Sequence, residues 1–157
     1  MFSTSEILDL AIRIEKNGEA VYRQAADKIS NPDLVSLLSW MADEEAVHAR
    51  WFSELKSKVA KASDNPFLEE MGHELFNDLL GDKNFSHKDV DFGRVQSVDE
   101  LMNIFIEFEK DSVLFYEVLE PFIEDETTLE NLKKIIAEEN NHIAKLQQFM
   151  GSEIALL

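Results

Sequence analysis

The chain has 157 residues and an apolar share of 45%, so we expect residues 1–157 to form a single domain around one core. It carries 32 acidic and 15 basic residues, and the net charge of −17 repels nucleic acid and anionic membrane surfaces. It contains no cysteine, which excludes disulfides, thiol catalysis and metal sites that need a thiolate. Any metal ion would therefore be held by histidine and carboxylate side chains.

The N-terminal segment MFSTSEILDL lacks the positive and apolar regions of a secretory signal. No uninterrupted apolar run approaches the roughly 18 residues that a membrane span needs. We therefore expect a cytoplasmic protein with neither membrane nor nucleic acid as a partner. Only five glycines and three prolines interrupt the chain, which favours long helices and predicts an all-α fold.

Start signals and apolar periodicity predict two helices in the first part of the chain. Ser3 and Glu6 form a capping box, and the apolar stripe that follows ends at Asn31, because the residue before Pro32 avoids helical geometry. Pro32 is favourable in the first turn of the second helix, whose apolar stripe fades beyond Val59. Both are therefore expected to be long amphipathic helices.

A connection at about residues 64–96 follows this pair, and it is too long for a turn. Apolar residues at helical spacing between Phe67 and Leu80 predict a short helix within it. Its histidines, His73 and His87, lack the spacing of metal ligands and are expected on the surface. A connection of this length carries the chain to the opposite corner of a four-helix bundle.

Two more long helices are predicted after the connection. Ser97 and Glu100 form a second capping box, which begins a helix at about 98–124. The last helix is expected at about 128–150, with Gly151 as its C-cap. The predicted architecture is a four-helix bundle with a long crossover between its second and third helices.

The chain contains an internal repeat that carries the candidate site. A shift of 94 residues aligns residues 3–55 with 97–149 without a gap, and eleven of the 53 pairs are identical. Each half has one helix with a glutamate in its apolar stripe and a second helix with the motif Glu-x-x-His. Because residues three apart share a helix face, each motif can present a carboxylate and an imidazole to one point. The predicted metal ligands are Glu15, Glu45, His48, Glu109, Glu139 and His142.

The charge of this set supports a pair of metal ions. Apolar neighbours predict that the four glutamates are buried, where each uncompensated ion costs several kcal/mol. Two divalent cations would neutralise four carboxylates. Without metal, the same residues would have to act as buried hydrogen-bond partners.

Other residues near these motifs have open roles. Glu44 and Glu138 lie four residues before each histidine and compete for the ligand role; we expect them to contact a ligand or to be solvated. Glu19 is either a further ligand or exposed. Tyr22 and Tyr116 lie on the same stripes as the first glutamate of each half, and we expect packing combined with a contact to a ligand carboxylate.

Small and aromatic residues on these helices also allow two interpretations. Gly18 and Ser112 occupy equivalent positions, where they could either leave room for O₂ or peroxide or allow close helix packing. Trp40, Trp51 and Phe52 are expected in the core or at a dimer interface.

Four segments resemble a known family: AIRIEKNGEAVY, MADEEAVHARWF, FIEFEKDSVLFY and IIAEENNHIAKL. They resemble the rubrerythrin branch of the ferritin-like superfamily, whose members bind two irons and, in rubrerythrins proper, reduce hydrogen peroxide. The resemblance implies that the six predicted ligands hold two iron ions, with manganese or zinc as alternatives. It also implies an oxidoreductase that reacts with peroxide or O₂ in oxidative stress.

Two departures from that family bear on the chemistry. Rubrerythrins carry a Cys-rich rubredoxin-like domain that delivers electrons, whereas this cysteine-free chain would take electrons from a separate donor protein. They also have a carboxylate three residues after the third-helix glutamate, where Ser112 stands here.

We expect a homodimer. The alternative functions are iron binding or storage without turnover, and a metal-free interaction bundle.

Overall fold

The computed structural model describes residues 4–59 and 90–156, except for the side chains of Thr4 and Phe122. Within these ranges the chain forms four α-helices, and its only extended pairing is a single bridge between Ile29 and Leu156. The helices are α1 (Thr4–Ala26), α2 (Pro32–Val59), α3 (Val98–Leu119) and α4 (Glu126–Gln147). The predicted all-α four-helix fold is therefore confirmed.

Part of the predicted architecture lies outside the described residues. This applies to the short helix between Phe67 and Leu80, to His73 and His87, and to the Ser3 cap of α1. Among the described helices, none is long and apolar enough to cross a membrane.

Side-chain caps explain where three of the helices begin. The Asn31 side-chain oxygen accepts a hydrogen bond from the backbone N–H of Leu34 at 3.0 Å, which caps α2 just before Pro32. At α3, Ser97 Oγ accepts from the N–H of Glu100 at 3.1 Å, as the capping box predicts. Asp125 caps α4 by accepting from the N–H of Thr128 at 2.8 Å.

The ends of three helices differ from the prediction. α1 ends at Ala26, before the predicted end at Asn31, and is followed by a turn. α3 ends at Leu119, not at 124, because Pro121 has no N–H for the helical ladder and its ring clashes with the preceding turn. The chain continues there as a 3₁₀ helix over Glu120–Phe122.

The last helix is also displaced from the predicted range. α4 begins at Glu126 and ends at Gln147, because Asp125 provides the cap and the chain turns through residues 148–151. Gly151 has a φ of 78°, a conformation that glycine adopts without strain. Its N–H donates to Asp99 Oδ1 at 2.9 Å, which ties this turn to the start of α3.

The bundle is built from two helix pairs, α1 with α2 and α3 with α4. Short loops join the helices of each pair, which makes them antiparallel neighbours. Thr4 and Val98 begin the first helices of the two pairs, and Pro32 and Glu126 begin the second helices. Both separations equal the 94-residue shift of the sequence repeat, so the two pairs present equivalent faces to each other.

Candidate metal centre

The six predicted metal ligands meet in the interior of the bundle. Each is at most 2% exposed, and together they come from all four helices. The i, i+3 spacing on α2 and α4 turns the carboxylate and imidazole of each motif inward. α1 and α3 each add one glutamate, Glu15 and Glu109.

The six side chains form two overlapping groups of four. Within each group, ligand atoms lie within 4.8 Å of one another. The first group is Glu15, Glu45, His48 and Glu139; the second is Glu45, Glu109, Glu139 and His142. Glu45 and Glu139 belong to both groups, so two ions held by these groups would share their carboxylates. Each group is completed by a glutamate and a histidine of its own.

Unsatisfied buried atoms show that these residues fit a pair of cations. His142 Nδ1 lies 3.0 Å from an oxygen of Glu139, 3.2 Å from one of Glu45 and 3.5 Å from one of Glu109. It forms a well-aligned hydrogen bond with none of them. One carboxylate oxygen on each of the four glutamates likewise has no hydrogen-bond partner. Buried polar atoms rarely remain unpaired. Divalent cations between these oxygens and this nitrogen would give them a partner.

Two buried tyrosines hold the carboxylates of Glu15 and Glu109. These are the terminal carboxylates, because each belongs to one group only. Tyr22 donates its hydroxyl hydrogen bond to Glu109 Oε1, and Tyr116 donates to Glu15 Oε1 at 2.5 Å. Each tyrosine therefore binds the glutamate of the opposite half of the chain. This reciprocal pairing shows that α1 and α3 run antiparallel where they meet. The contact to a ligand carboxylate that the sequence suggested is present, but it crosses between the halves.

The outer nitrogens of both histidines are bound by a second pair of glutamates. His48 Nε2 lies 2.6 Å from Glu138 Oε2, and His142 Nε2 lies 2.5 Å from Glu44 Oε2. The side chains of Glu138 and Glu44 are 29% and 25% exposed, so they link the buried imidazoles to the surface. Such carboxylates fix the orientation of a histidine and keep its other nitrogen available to a metal.

Glu19 lies apart from the cluster. Its carboxylate forms an ion pair with Arg23 at 3.2 Å, and its side chain is 29% exposed. The geometry therefore favours the surface role for Glu19 over the further-ligand role.

Gly18 allows α1 to approach the bridging carboxylate. A Cβ atom at Gly18 would lie 3.0 Å from Glu45 Oε2 and 3.4 Å from the Phe108 ring. The repeat-equivalent Ser112 does carry a side chain, and its hydroxyl donates to the Phe108 carbonyl at 3.1 Å. Gly18 thus serves close packing in this structure, because the space beside it is filled by Glu45.

In the metal-free protein, protons take over the balancing of charge. Burial raises the pKa of Glu45 and Glu109 well above its usual value, and the negative charge of Glu139 adds to the effect. For Glu139, burial acts upward, but the close imidazoles of His142 and His48 outweigh it and hold the pKa well below the usual value. One carboxylate is thus ionised between two imidazolium groups.

The same contacts keep the histidines protonated. Burial lowers the pKa of both, yet the close buried carboxylates outweigh it: Glu139 and Glu15 act on His48, and Glu109 and Glu139 act on His142. These carboxylates raise the pKa of His48 to about 12 and that of His142 to about 11.

We expect the stability of the metal-free protein to fall as pH rises. The two histidines have folded-state pKa values above their usual 6.5, so their contribution is complete below pH 6.5 and is lost towards pH 11. Thermal unfolding of chelator-treated protein between pH 6.5 and 10 measures this effect. The metal-loaded protein is the control, because its ligands carry no protons to lose. A metal-free melting temperature that is constant over this range would contradict the prediction.

Gly18→Ala should weaken metal binding without harming the helix. The new methyl group displaces Glu45, and we expect an affinity loss of about tenfold or more, as for other disturbances around ligands. Alanine also favours the helix by about 1 kcal/mol over glycine, so the metal-free protein should not be destabilised by helix propensity. Isothermal titration with Co²⁺ measures the affinity. Ser112→Ala is the matched control, and an equal effect of both substitutions would refute the role of Gly18.

Comparison with known proteins gives the family of this chain. A family model described as rubrerythrin matches residues 6–150. No curated protein matches the sequence.

Two solved structures are similar over almost the full length. A Thermotoga maritima protein, provisionally assigned as a ferritin-like diiron-carboxylate protein, is 24% identical, with a TM-score of 0.69 and 96% of each chain covered. A hypothetical protein from Pyrococcus furiosus is 19% identical, with a TM-score of 0.65, and the match covers 94% of this chain and 87% of that one. These similarities show the ferritin-like fold. Since the family model spans most of the sequence, the chain belongs to the rubrerythrin family, and its buried glutamate and histidine cluster is able to bind metal.

Proposed function

We propose that this protein is a di-iron carboxylate oxidoreductase that reduces hydrogen peroxide or O₂. The observation that carries the proposal is the pair of buried four-residue groups that share Glu45 and Glu139. Shared carboxylates hold two ions close enough to act on one small molecule together. Membership of the rubrerythrin family supports the same chemistry.

The donor set favours iron or manganese. It combines carboxylate oxygens with imidazole nitrogens and offers no thiolate. Copper and zinc bind nitrogen and oxygen donors more tightly in general, so the metal found after purification depends on availability. The proposal of iron therefore has to be tested by controlled reconstitution.

A bound iron pair would supply two electrons, one from each ion, which with two protons suffice to reduce hydrogen peroxide to water or O₂ to hydrogen peroxide. The chain contributes the surroundings for that step. Burial of all six side chains excludes bulk water. Tyr22 and Tyr116 donate hydroxyl hydrogen bonds to Glu109 and Glu15, so hydroxyl protons lie close to the place where reduction of the oxidant would consume protons. Glu44 and Glu138 fix the imidazoles and reach towards solvent.

Electrons for repeated turnover would come from a separate donor, because the chain has no cysteine for a rubredoxin-type centre. We also propose a homodimer. Sedimentation would distinguish a dimer from the large shell that a storage protein forms.

Anaerobic reconstitution with Fe²⁺ tests the function directly. We expect two tightly bound irons per chain, followed by their oxidation when stoichiometric peroxide or O₂ is added. Metal analysis and consumption of each oxidant are the two measurements. Two bound irons that consume neither oxidant would favour storage without turnover. Less than one bound metal per chain would favour a metal-free interaction bundle.

Glu45→Ala and His142→Ala test the ligand assignment. Glu45 is common to both groups, so its loss should remove at least one iron, whereas loss of His142 affects the second group. Circular dichroism should show that the helices remain. Glu19→Ala is the matched control, since Glu19 pairs with Arg23 on the surface and should leave both ions in place. Two irons retained in both ligand variants would show that the assignment is wrong.

Tyr116→Phe tests the hydrogen bond between Tyr116 and Glu15. The substitution keeps the ring but removes the hydroxyl that binds Glu15 Oε1. We expect metal affinity to fall by about 10- to 100-fold, the usual effect of losing a group that orients a ligand. Competition with a chelator of known affinity measures the change. Unchanged affinity would mean that the tyrosine only fills space.

A further inference from the structure

One tryptophan reaches from the surface to the centre of the bundle. Trp40 on α2 is 37% exposed, whereas His142 is fully buried. The centroids of their rings are 5.4 Å apart, and the ring planes meet at 81°, which is an edge contact. A single side chain therefore connects solvent with a proposed metal ligand.

The repeat does not require an aromatic residue at this position. In the second half of the chain, the residue equivalent to Trp40 is Lys134. The ammonium of Lys145 lies over the Trp40 ring, 5.5 Å from its centroid, and so helps to hold the ring in place. Trp40 is thus a departure from the internal symmetry, and it is placed next to the His142 side of the cluster.

The proposed reaction requires electrons to pass from outside the protein to the buried cluster. The cluster is buried on all sides by helices, and the chain carries no cysteine-ligated redox centre of its own. Electron tunnelling slows steeply with the distance between donor and acceptor. A donor that touches the exposed edge of Trp40 is separated from His142 by one aromatic ring only.

We propose that Trp40 is the electron-entry residue of this protein, through which an external one-electron donor reduces the oxidised metal pair by way of His142. The inference rests on the proposed di-iron function. Each transferred electron converts one ferric ion to ferrous and oxidises one donor molecule by one electron. No covalent bond changes, and Trp40 itself is neither oxidised nor reduced in the net step.

The test measures reduction of the ferric protein by photochemically generated methyl viologen radical cation. We expect Trp40→Leu to slow this reduction by about tenfold or more, and Trp40→Phe, which retains an aromatic ring, to slow it less. Trp51→Leu is the matched control. Trp51 lies on the same helix, but two further rings, Phe52 at 5.0 Å and then Tyr116, separate it from the carboxylate of Glu15. None of these substitutions changes the net charge, so attraction of the viologen cation is the same in all of them.

Metal content and midpoint potential are measured on the same variants. Both should equal the wild-type values, because Trp40 supplies no ligand atom. An equal rate in wild type and Trp40→Leu would overturn the inference while leaving the di-iron function intact. Equal slowing by Trp51→Leu would overturn it as well. Failure of the wild type to bind two irons or to be reduced would instead refute the proposed function.

Fluorescence of the metal-free protein during Co²⁺ titration gives a readout independent of turnover. Trp40 is the only tryptophan of the Trp51→Phe variant, and we expect strong quenching of its emission, excited selectively over that of tyrosine, as Co²⁺ binds beside His142. Emission that stays unchanged while two Co²⁺ ions bind would show that Trp40 does not couple to the site, and this would overturn the inference.

Discussion

Four carboxylates and two imidazoles share a volume from which the helices exclude water, and the rest of the bundle makes that concentration of charge tolerable. In the metal-free protein, protons provide the compensation: Glu139 stays ionised beside two imidazolium groups, while Glu45 and Glu109 have raised pKa values. Two divalent cations would displace those protons and bind the same carboxylate oxygens and imidazole nitrogens. Metal binding and proton release are therefore two sides of one equilibrium.

The surrounding side chains act on this equilibrium because they fix the orientation of the carboxylates and imidazoles. Tyrosine hydroxyls hold the terminal carboxylates, and Glu44 and Glu138 hold the outer imidazole nitrogens. These contacts follow the internal two-fold repeat. Gly18 departs from the repeat, because its lack of a side chain lets Glu45 lie against α1. At positions where the repeat is broken, such as Gly18, the two halves of the chain differ and can take different roles in one reaction.

Much of this could be predicted from the sequence, because the governing signals are local. The Ser97 cap places the start of α3, the two i, i+3 motifs place four of the six inward side chains, and the apolar stripes place the other two, Glu15 and Glu109. Pro121 is a stop signal in the sequence, yet the predicted helix runs past it to about 124, whereas α3 ends at Leu119. The partners of the tyrosines were not predictable in this way. Tyr22 lies seven residues, or about 10.5 Å, along α1 from Glu15, so its partner comes from another helix.

Each of the two four-residue groups takes three residues from one half of the chain and one from the other, and each tyrosine binds a glutamate of the opposite half. A solitary helical hairpin therefore could not assemble either group. If a gene encoding one hairpin was duplicated, its product formed this centre only by self-association, at protein concentrations high enough for pairing. Fusion of two such copies would make the centre intramolecular, so that assembly of the six residues would no longer depend on the abundance of the protein.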